Sequence, residues 1–346
     1  MAMVKSDKIW MNGRWVPWDD AKIHVLSHVA HYASSVFEGI RAYDDAAGTE
    51  RVPARGPHRP SDAVGQDLPD GDPGDARADP QRVRRGREPE RAPRSATSAR
   101  SSIAATRTWA STRSTAPVEV AIAAYPWGKY LGEDALTKGV AVKVSTWQRF
   151  APNTLPAMAK ASANYMNSQL IKMEALVDGY AEGIALDVHG SVSEGSGQNL
   201  FAVIRGELVT PPLHSSILAG ITRDTVITLA REMNLGVREM TMPRELLYAA
   251  DELFFTGTAV EVSPITSVDK LPVGSGTRGP ITKQIQDAFF SRRARTERQA
   301  PRLAHARPCV RALRRGGGRG RAPVVSGPRC GSRLARTTPD SSSRSV

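Results

Sequence analysis

Cysteine is nearly absent from this 346-residue chain: Cys309 and Cys330 are the only two, both near the C-terminal end. Without CxxC spacing they suggest neither a disulfide framework nor a metal site. No apolar run approaches the roughly 20 residues that a membrane-spanning helix needs, and Met1–Lys8 is polar rather than a charged-then-apolar leader. The expected compartment is therefore the cytoplasm, with no membrane partner. Lysine is missing from two long stretches. Residues 51–115 hold 13 Arg against 8 acids, with Trp109 the sole aromatic, and residues 292–346 hold 15 Arg against 2 acids with no aromatic. These stretches carry more positive charge than the whole chain's net +12, so the remainder is acidic. Arginine without aromatics is poor material for a base-reading surface, which needs stacking groups as well as charge. A nucleic-acid partner is not expected.

What remains is ample for two domains with a proper core. Ile9–Met11 and Arg14–Val16 flank Asn12-Gly13, a strong hairpin signal, because both central residues of a type I′ turn need positive φ. Residues 27–41 read as a short helical stretch and a return strand, with Gly39 suited to a backbone that approaches something closely. His28 and His31 stand three apart, but no third ligand candidate is near, so packing outweighs metal binding and no metal is expected. From Asp45 to Pro117 no period of 2 or 3.6 persists. A disordered linker, an internal nucleic-acid tail and a shifted reading frame of GC-rich DNA all account for that composition.

Order resumes at Val118–Tyr125, a strand stopped by Pro126-Trp127-Gly128, and Gly139–Thr146 alternates as a second strand. A helix over 165–177 is expected, its apolar stripe Met166, Leu170, Met173 and Val177, closed by Gly179 as a C′ glycine. Two turn-linked strand pairs follow, over 184–193 and 200–210. Then come a helix over 222–235 entered through Thr222 as N-cap, a short helix at 245–250, a strand at 253–256 and a helix at 281–290. Mixed strands and helices with many hairpins argue α+β. The expected division is a small N-terminal domain (1–130, with 45–116 aberrant), a larger domain (131–291) and an Arg-rich tail (292–346).

The chemistry centres on Lys160, walled by Ala157, Met158, Ala159 and Ala161. Apolar walls disfavour an ammonium, which is one way a lysine becomes a nucleophile for a carbonyl; the bland alternative is a solvated lysine at a helix start. Three further stretches tip the balance. Ser193-Glu194-Gly195 puts a carboxylate on a turn, Leu218 through Arg223 offers free N–H groups at a helix start, and Thr256-Gly257-Thr258 ends a strand in hydroxyls. Together they suit a phosphorylated aldehyde cofactor: an amine for the aldehyde, an acid for a ring nitrogen, a hydroxyl for a phenolic oxygen and a helix N-terminus for phosphate.

On these residues the sequence resembles the branched-chain amino acid aminotransferases of the fold-type IV, pyridoxal-phosphate-dependent family. The matching motifs are Phe37-Glu38-Gly39-Ile40-Arg41, Trp127-Gly128-Lys129-Tyr130, Ala159-Lys160-Ala161 through Tyr165, Ser193-Glu194-Gly195 through Phe201, Gly220-Ile221-Thr222-Arg223 and Gly257-Thr258-Ala259. They cover roughly 1–44 and 117–290. The resemblance implies a small α/β domain and a larger pseudo-barrel domain, pyridoxal 5′-phosphate as cofactor, and a homodimer or higher homo-oligomer. It implies that Lys160 binds the cofactor covalently and serves as base, and that Tyr165, Glu194, Leu218, Ile221, Thr222 and Thr258 hold it. Tyr32, Phe37, Gly39, Trp127, Tyr130 and Ala259 would line the substrate side. The implied reaction passes the amino group of leucine, isoleucine or valine to 2-oxoglutarate. Alternatives are a D-amino acid aminotransferase or an aminodeoxychorismate lyase, which keep Lys160 and Glu194 and change the wall, or an inactive relative. The family's F-R-x-x-x-H-x-x-R-L and Y-x-R-P patterns, which carry phosphate- and carboxylate-binding arginines, are missing, although the spacing from Gly39 to Trp127 is the family's.

Overall fold

The protein is described from a computed structural model covering residues 4–44, 50–51, 95–104, 117–132 and 134–299, with backbone alone at 42–44, 50–51, 95–104 and 293–299. The chain divides into two units at Ala300. The second, Pro301–Val346, lies wholly outside the described residues, as do both cysteines and most of the 45–116 stretch.

The N-terminal hairpin forms as its turn requires: β1 (Lys8–Met11) pairs with β2 (Arg14–Pro17), and Asn12 and Gly13 take φ of 49° and 91°. Helix α1 (His28–Tyr32) leads into β3 (Ser35–Asp44), followed by β4 (Glu50–Arg51), β5 (Ser95–Ala104) and β6 (Val118–Pro126). Among the described residues these six strands make one antiparallel sheet in the order β2-β1-β6-β5-β3-β4. The sequence pattern placed no strand between 45 and 116, yet β5 is central. Strand pairing is made by backbone N–H and C=O groups, and β3 and β6 offer β5 two long ladders whatever its side-chain period.

A second sheet begins after the short helix α2 (Ala135–Lys138) with β7 (Val140–Val144), and continues past helix α3 (Asn164–Val177). Its later strands are β8 (Glu182–Leu186), β9 (Val192–Gly195), β10 (Asn199–Ile204) and β11 (Glu207–Thr210). After helix α4 (Ile221–Glu232) come β12 (Val237–Glu239), helix α5 (Leu246–Ala249), β13 (Glu252–Gly257), β14 (Glu261–Val268) and β15 (Leu271–Pro272). The order is β12-β11-β10-β13-β14-β7-β8-β9 with β15 on β14. Parallel pairs at β11–β12, β14–β7 and β7–β8 interrupt antiparallel ones. Strand β14 escapes a sequence reading because Pro264 sits mid-strand; its register shifts between Ile265 and Ser267, the kind of irregularity that accommodates proline.

Both faces of this sheet are buried, so β10 and β13 read as continuous apolar runs. Leu200, Ala202, Leu253 and Phe255 join one core cluster, while Phe201, Val203 and Phe254 join another with Val226 and Ile227 of α4. Ile285 of the last helix, α6 (Pro280–Gln299), completes the second cluster. Glu252 accepts the Ile281 and Thr282 N–H groups at 2.9 and 2.7 Å and so caps the start of α6. Helix α6 runs past Ser291, where an unstructured tail was expected; its Arg, Ala, Glu and Gln are good helix formers.

Helix α3 corrects another expectation. It ends in a Schellman pattern, Gly179 N–H to Leu176 C=O and Tyr180 N–H to Ala175 C=O, with Gly179 at φ 81°. Its buried face, however, is Asn164, Ser168, Ile171 and Ala175, whereas Met166, Met173 and Val177 are 62%, 62% and 85% exposed. A Cβ on Gly183 would lie 2.7 Å from Ile171 Cγ2, so the missing side chain on β8 is what lets this smaller face pack. The α+β class stands, with helices and two mixed-origin sheets. No helix among the described residues is long and apolar enough to cross a membrane.

Candidate active site

The loop carrying Lys160 is fastened to β3. Phe37 N–H donates to the Lys160 carbonyl at 3.0 Å, Ser162 N–H donates to the Ser35 carbonyl at 2.9 Å, and Val36 bridges Ala161. The Asn164 amide closes the loop by donating to the Pro156 and Ala159 carbonyls at 2.9 and 3.0 Å. The Lys160 amine donates to the Tyr165 hydroxyl at 2.7 Å and stands 5.0 and 5.2 Å from the Phe37 and Tyr165 ring centroids. Met158, expected to wall the lysine, is 54% exposed; Ala159 and the two rings do that work instead.

Glu194, at the end of β9, is buried and hydrogen-bonded through both oxygens. It accepts from Arg149 Nη2 at 2.8 Å, from Asn199 Nδ2 at 3.0 Å and from Leu218 N–H at 3.0 Å. Burial pushes its carboxyl above the ordinary range, while the Arg149 guanidinium, the Leu218 N–H and the charges of Lys160 and Arg223 pull it back. Arg149 also donates to Asn167 and Ser168, which fixes its plane. Sequence reasoning passed over Arg149, because nothing in Thr146-Trp147-Gln148-Arg149-Phe150 distinguishes it from a surface arginine. Its partner became visible only when β7 and β9 were folded together.

The Asn199 amide donates to the Leu218 carbonyl at 2.8 Å as well. It lies so close to the start of α4 that a Cβ on Gly220 would be 2.0 Å from Asn199 Oδ1. Helix α4 starts at Ile221 with Gly220 as N-cap, so Thr222 sits inside the first turn and is not the cap expected from its side chain. No side chain caps this end, and such an end suits an anion. Thr256, at the end of β13, is fully buried and its hydroxyl has no hydrogen-bond partner. Arg41 donates to the Ala259 carbonyl at 3.1 Å, tying β3 to the loop that follows β13.

A cavity of about 290 Å³ brings these stretches together. Lys160, Tyr165, Glu194, Leu218, Ile221, Thr222 and Thr258 line it, and so do Phe37, Gly39, Trp127, Tyr130 and Ala259. Arg149, Ser168, Gln198 and Asn199 join them without having been given a role, and so does Thr256 of the Thr256-Gly257-Thr258 stretch. Tyr32 does not line it. It is 48% exposed and packs edge-on to His28, because α1 ends at Ala33 in the left-handed conformation and the chain turns into β3. Trp127 and Tyr130 stack with centroids 6.4 Å apart and planes 4° apart. The Tyr130 phenol is pushed up to about 12 by desolvation and by the Glu182 charge, with a Ser196 hydrogen bond acting the other way.

Residues 89–268 match the sequence family described as amino-transferase class IV. The chain is 45% identical over 312 residues to a branched-chain-amino-acid aminotransferase of Salmonella typhimurium, covering 84% of this chain and 94% of that one. This chain belongs to the class IV aminotransferases. Its fold agrees with a crystal structure of the Escherichia coli branched-chain amino acid aminotransferase at a TM-score of 0.73 and 43% identity, over 83% of this chain and 94% of the other. It is likewise similar to a T.th. branched-chain amino acid aminotransferase complexed with N-(5′-phosphopyridoxyl)-L-glutamate (TM-score 0.71, 36% identity, 86% and 96% covered).

Class IV aminotransferases depend on pyridoxal 5′-phosphate. The cavity of this class IV aminotransferase fits that group on its own terms: an amine beside a phenol, a buried carboxylate, an uncapped helix start and an orphaned threonine hydroxyl. No group of three metal-ligating side chains occurs among the described residues.

Proposed function

We propose that this chain transfers the amino group of L-leucine, L-isoleucine and L-valine to 2-oxoglutarate, giving branched 2-oxo acids and L-glutamate in ping-pong order. The observation that carries this reading is the Lys160 amine, 2.7 Å from the Tyr165 hydroxyl in a cavity that also holds buried Glu194. Bound there, pyridoxal phosphate supplies an electron sink for the substrate Cα. Lys160 would attach the cofactor and, once displaced by the substrate amine, would take the proton from Cα and return it. Glu194, oriented by Arg149 and Asn199, would accept the ring N–H. Tyr165 would donate to the phenolic oxygen, and Leu218 would pack on the ring. Ile221 and Thr222, in the first turn of α4, would hold the phosphate with Thr258.

Phe37, Gly39, Trp127, Tyr130 and Ala259 form a wall whose aromatic faces suit a branched aliphatic side chain. The glutamate portion of the molecule bound in the T.th. relative supports a five-carbon dicarboxylate as the second substrate. The division into domains of 1–130 and 131–291 belongs to the same reading, with Phe37 and Trp127 from one and Lys160 and Glu194 from the other. A homo-oligomer acting in the cytoplasm completes it; the exposed apolar stripe of Met166, Met173, Leu176 and Val177 on α3 supports an oligomer.

The test is transamination of leucine with 2-oxoglutarate by protein loaded with pyridoxal phosphate. Activity is expected, together with a visible absorbance band. Lys160→Ala should abolish the band and lower kcat by about a thousandfold or more. Loaded, folded protein without turnover would remove the reading.

A further inference from the structure

The most deeply buried carboxylate among the described residues, Glu182, lies outside the machinery so far described. Glu182 opens β8, and its side chain is wholly inaccessible. Lys172, about two turns along α3 from Tyr165, reaches Glu182 Oε2 at 3.1 Å and donates to the Ala181 carbonyl at 2.5 Å. The same Oε2 accepts from Gln198 Nε2 at 2.6 Å, and Oε1 accepts from Gly183 N–H at 2.9 Å. Gln198 Oε1 in turn accepts from Gly197 N–H, closing the turn between β9 and β10.

The Lys172 ammonium also stands 5.1 Å from the centroid of the Tyr130 ring, within range of a cation–π contact. An ion pair that only filled a core could be exchanged for apolar residues without loss. This one is joined to groups that line the cavity: to Tyr130 through Lys172, and to Gln198 and Gly197 through Glu182.

We propose that Lys172 and Glu182 are positioning residues that hold Tyr130 and the Ser196–Gln198 turn as one wall, so that side-chain selectivity depends on a pair that touches no substrate. The pair links α3, whose first turn carries Tyr165, to the turn that follows Glu194. Tyr165 keeps its bond to Lys160 and Glu194 keeps its bonds to Arg149, Asn199 and Leu218 when the pair is broken, so the cofactor-side groups stay in place while the wall moves. What the wall selects rests on the transaminase reading above; that the pair sets the wall does not.

The experiment uses full-length protein labelled with 3-fluorotyrosine, its Tyr130 resonance assigned by loss in Tyr130→Phe. Lys172→Met is expected to shift that resonance, and Lys172→Arg to restore most of its position. In the loaded enzyme, Lys172→Met should raise KM for leucine about tenfold with kcat within about twofold and the visible band unchanged. In a Tyr130→Leu background the same change should add nothing further to KM. Glu182→Gln, which keeps shape and removes the charge, provides the same readouts should Lys172→Met fail to fold. An unmoved Tyr130 resonance, or additive KM effects in the double variant, overturns the inference. A shifted resonance in a protein without transamination supports the pair's control of the wall and removes the proposed reaction alone.

Discussion

Glu194 is held by three hydrogen bonds from Arg149, Asn199 and Leu218, whereas Trp127 and Tyr130, lining the same cavity, are held by ring stacking and a lysine at 5.1 Å. The first arrangement is polar, buried and connected to α3, β9, β10 and the start of α4. The second is aromatic, partly exposed and mounted after β6 of the six-stranded sheet. A group that must hold a charge at one atom needs several directional partners, since a buried charge without them is expensive. A group that selects an aliphatic side chain needs area and shape, which stacked rings supply at little orientational cost. On the function proposed above, the contrast assigns fixed chemistry to one part of the cavity and adjustable selectivity to the other.

The strongest way to break the contrast is at Glu194. Glu194→Ala leaves Arg149 buried without its anion and should destabilise the fold by about 3–5 kcal/mol, measured by denaturant unfolding. Replacing Glu194 and Arg149 together by methionine should recover most of that loss. If the single change is harmless, the polar side is no more demanding than the aromatic one. Gly220→Ala comes next, because the new Cβ meets Asn199 Oδ1. Displacing that amide should weaken pyridoxal-phosphate binding by about tenfold or more, read by absorbance titration.

On the aromatic side, Trp127→Leu should raise KM for leucine about fivefold to tenfold while the cofactor titrates as before. A change in cofactor affinity would show that the two parts are not separable. The smallest expected effect lies away from the cavity and calibrates the rest. Burial alone would raise Glu174, but hydrogen bonds from Ser145, Lys143 and Thr146 outweigh it and bring the carboxyl down from 4.5 to about 2. An acid with a depressed folded pKa contributes stability that is full above its ordinary value and lost as pH falls towards the folded one. Acid melts should therefore show a loss between about pH 4.5 and 2 that Glu174→Gln flattens.

Several elements were legible before folding because their signals are local. Asn12-Gly13 and Arg205-Gly206 announce turns through positive φ, and Gly179 announces the end of α3 through the same preference. Lys160, Glu194 and Thr258 could be grouped before folding because each carries a group that suits a phosphorylated aldehyde, and all three line one cavity. The stripe Met166, Leu170, Met173 and Val177 misled for a physical reason: helical spacing says which residues share a face, not which face is covered. Ile171 is covered because Gly183 leaves it room. Tyr32 misled in another way, since its orientation follows from the left-handed Ala33 beside it.

By itself, then, the order of side chains determined the class of fold, the hairpin turns and the end of α3, which depend on neighbours a few residues away, and supplied the residue types that the fold gathers around Lys160. Only the tertiary structure decided that β5 runs between β3 and β6, that Arg149 and Asn199 hold Glu194, and that Glu182 and Lys172 stand behind Tyr130. Most of those contacts join segments far apart in the chain, Arg149 to Glu194 and Lys172 to Tyr130 among them. Such contacts arise from backbone ladders and buried-charge compensation, which leave no periodic trace in sequence.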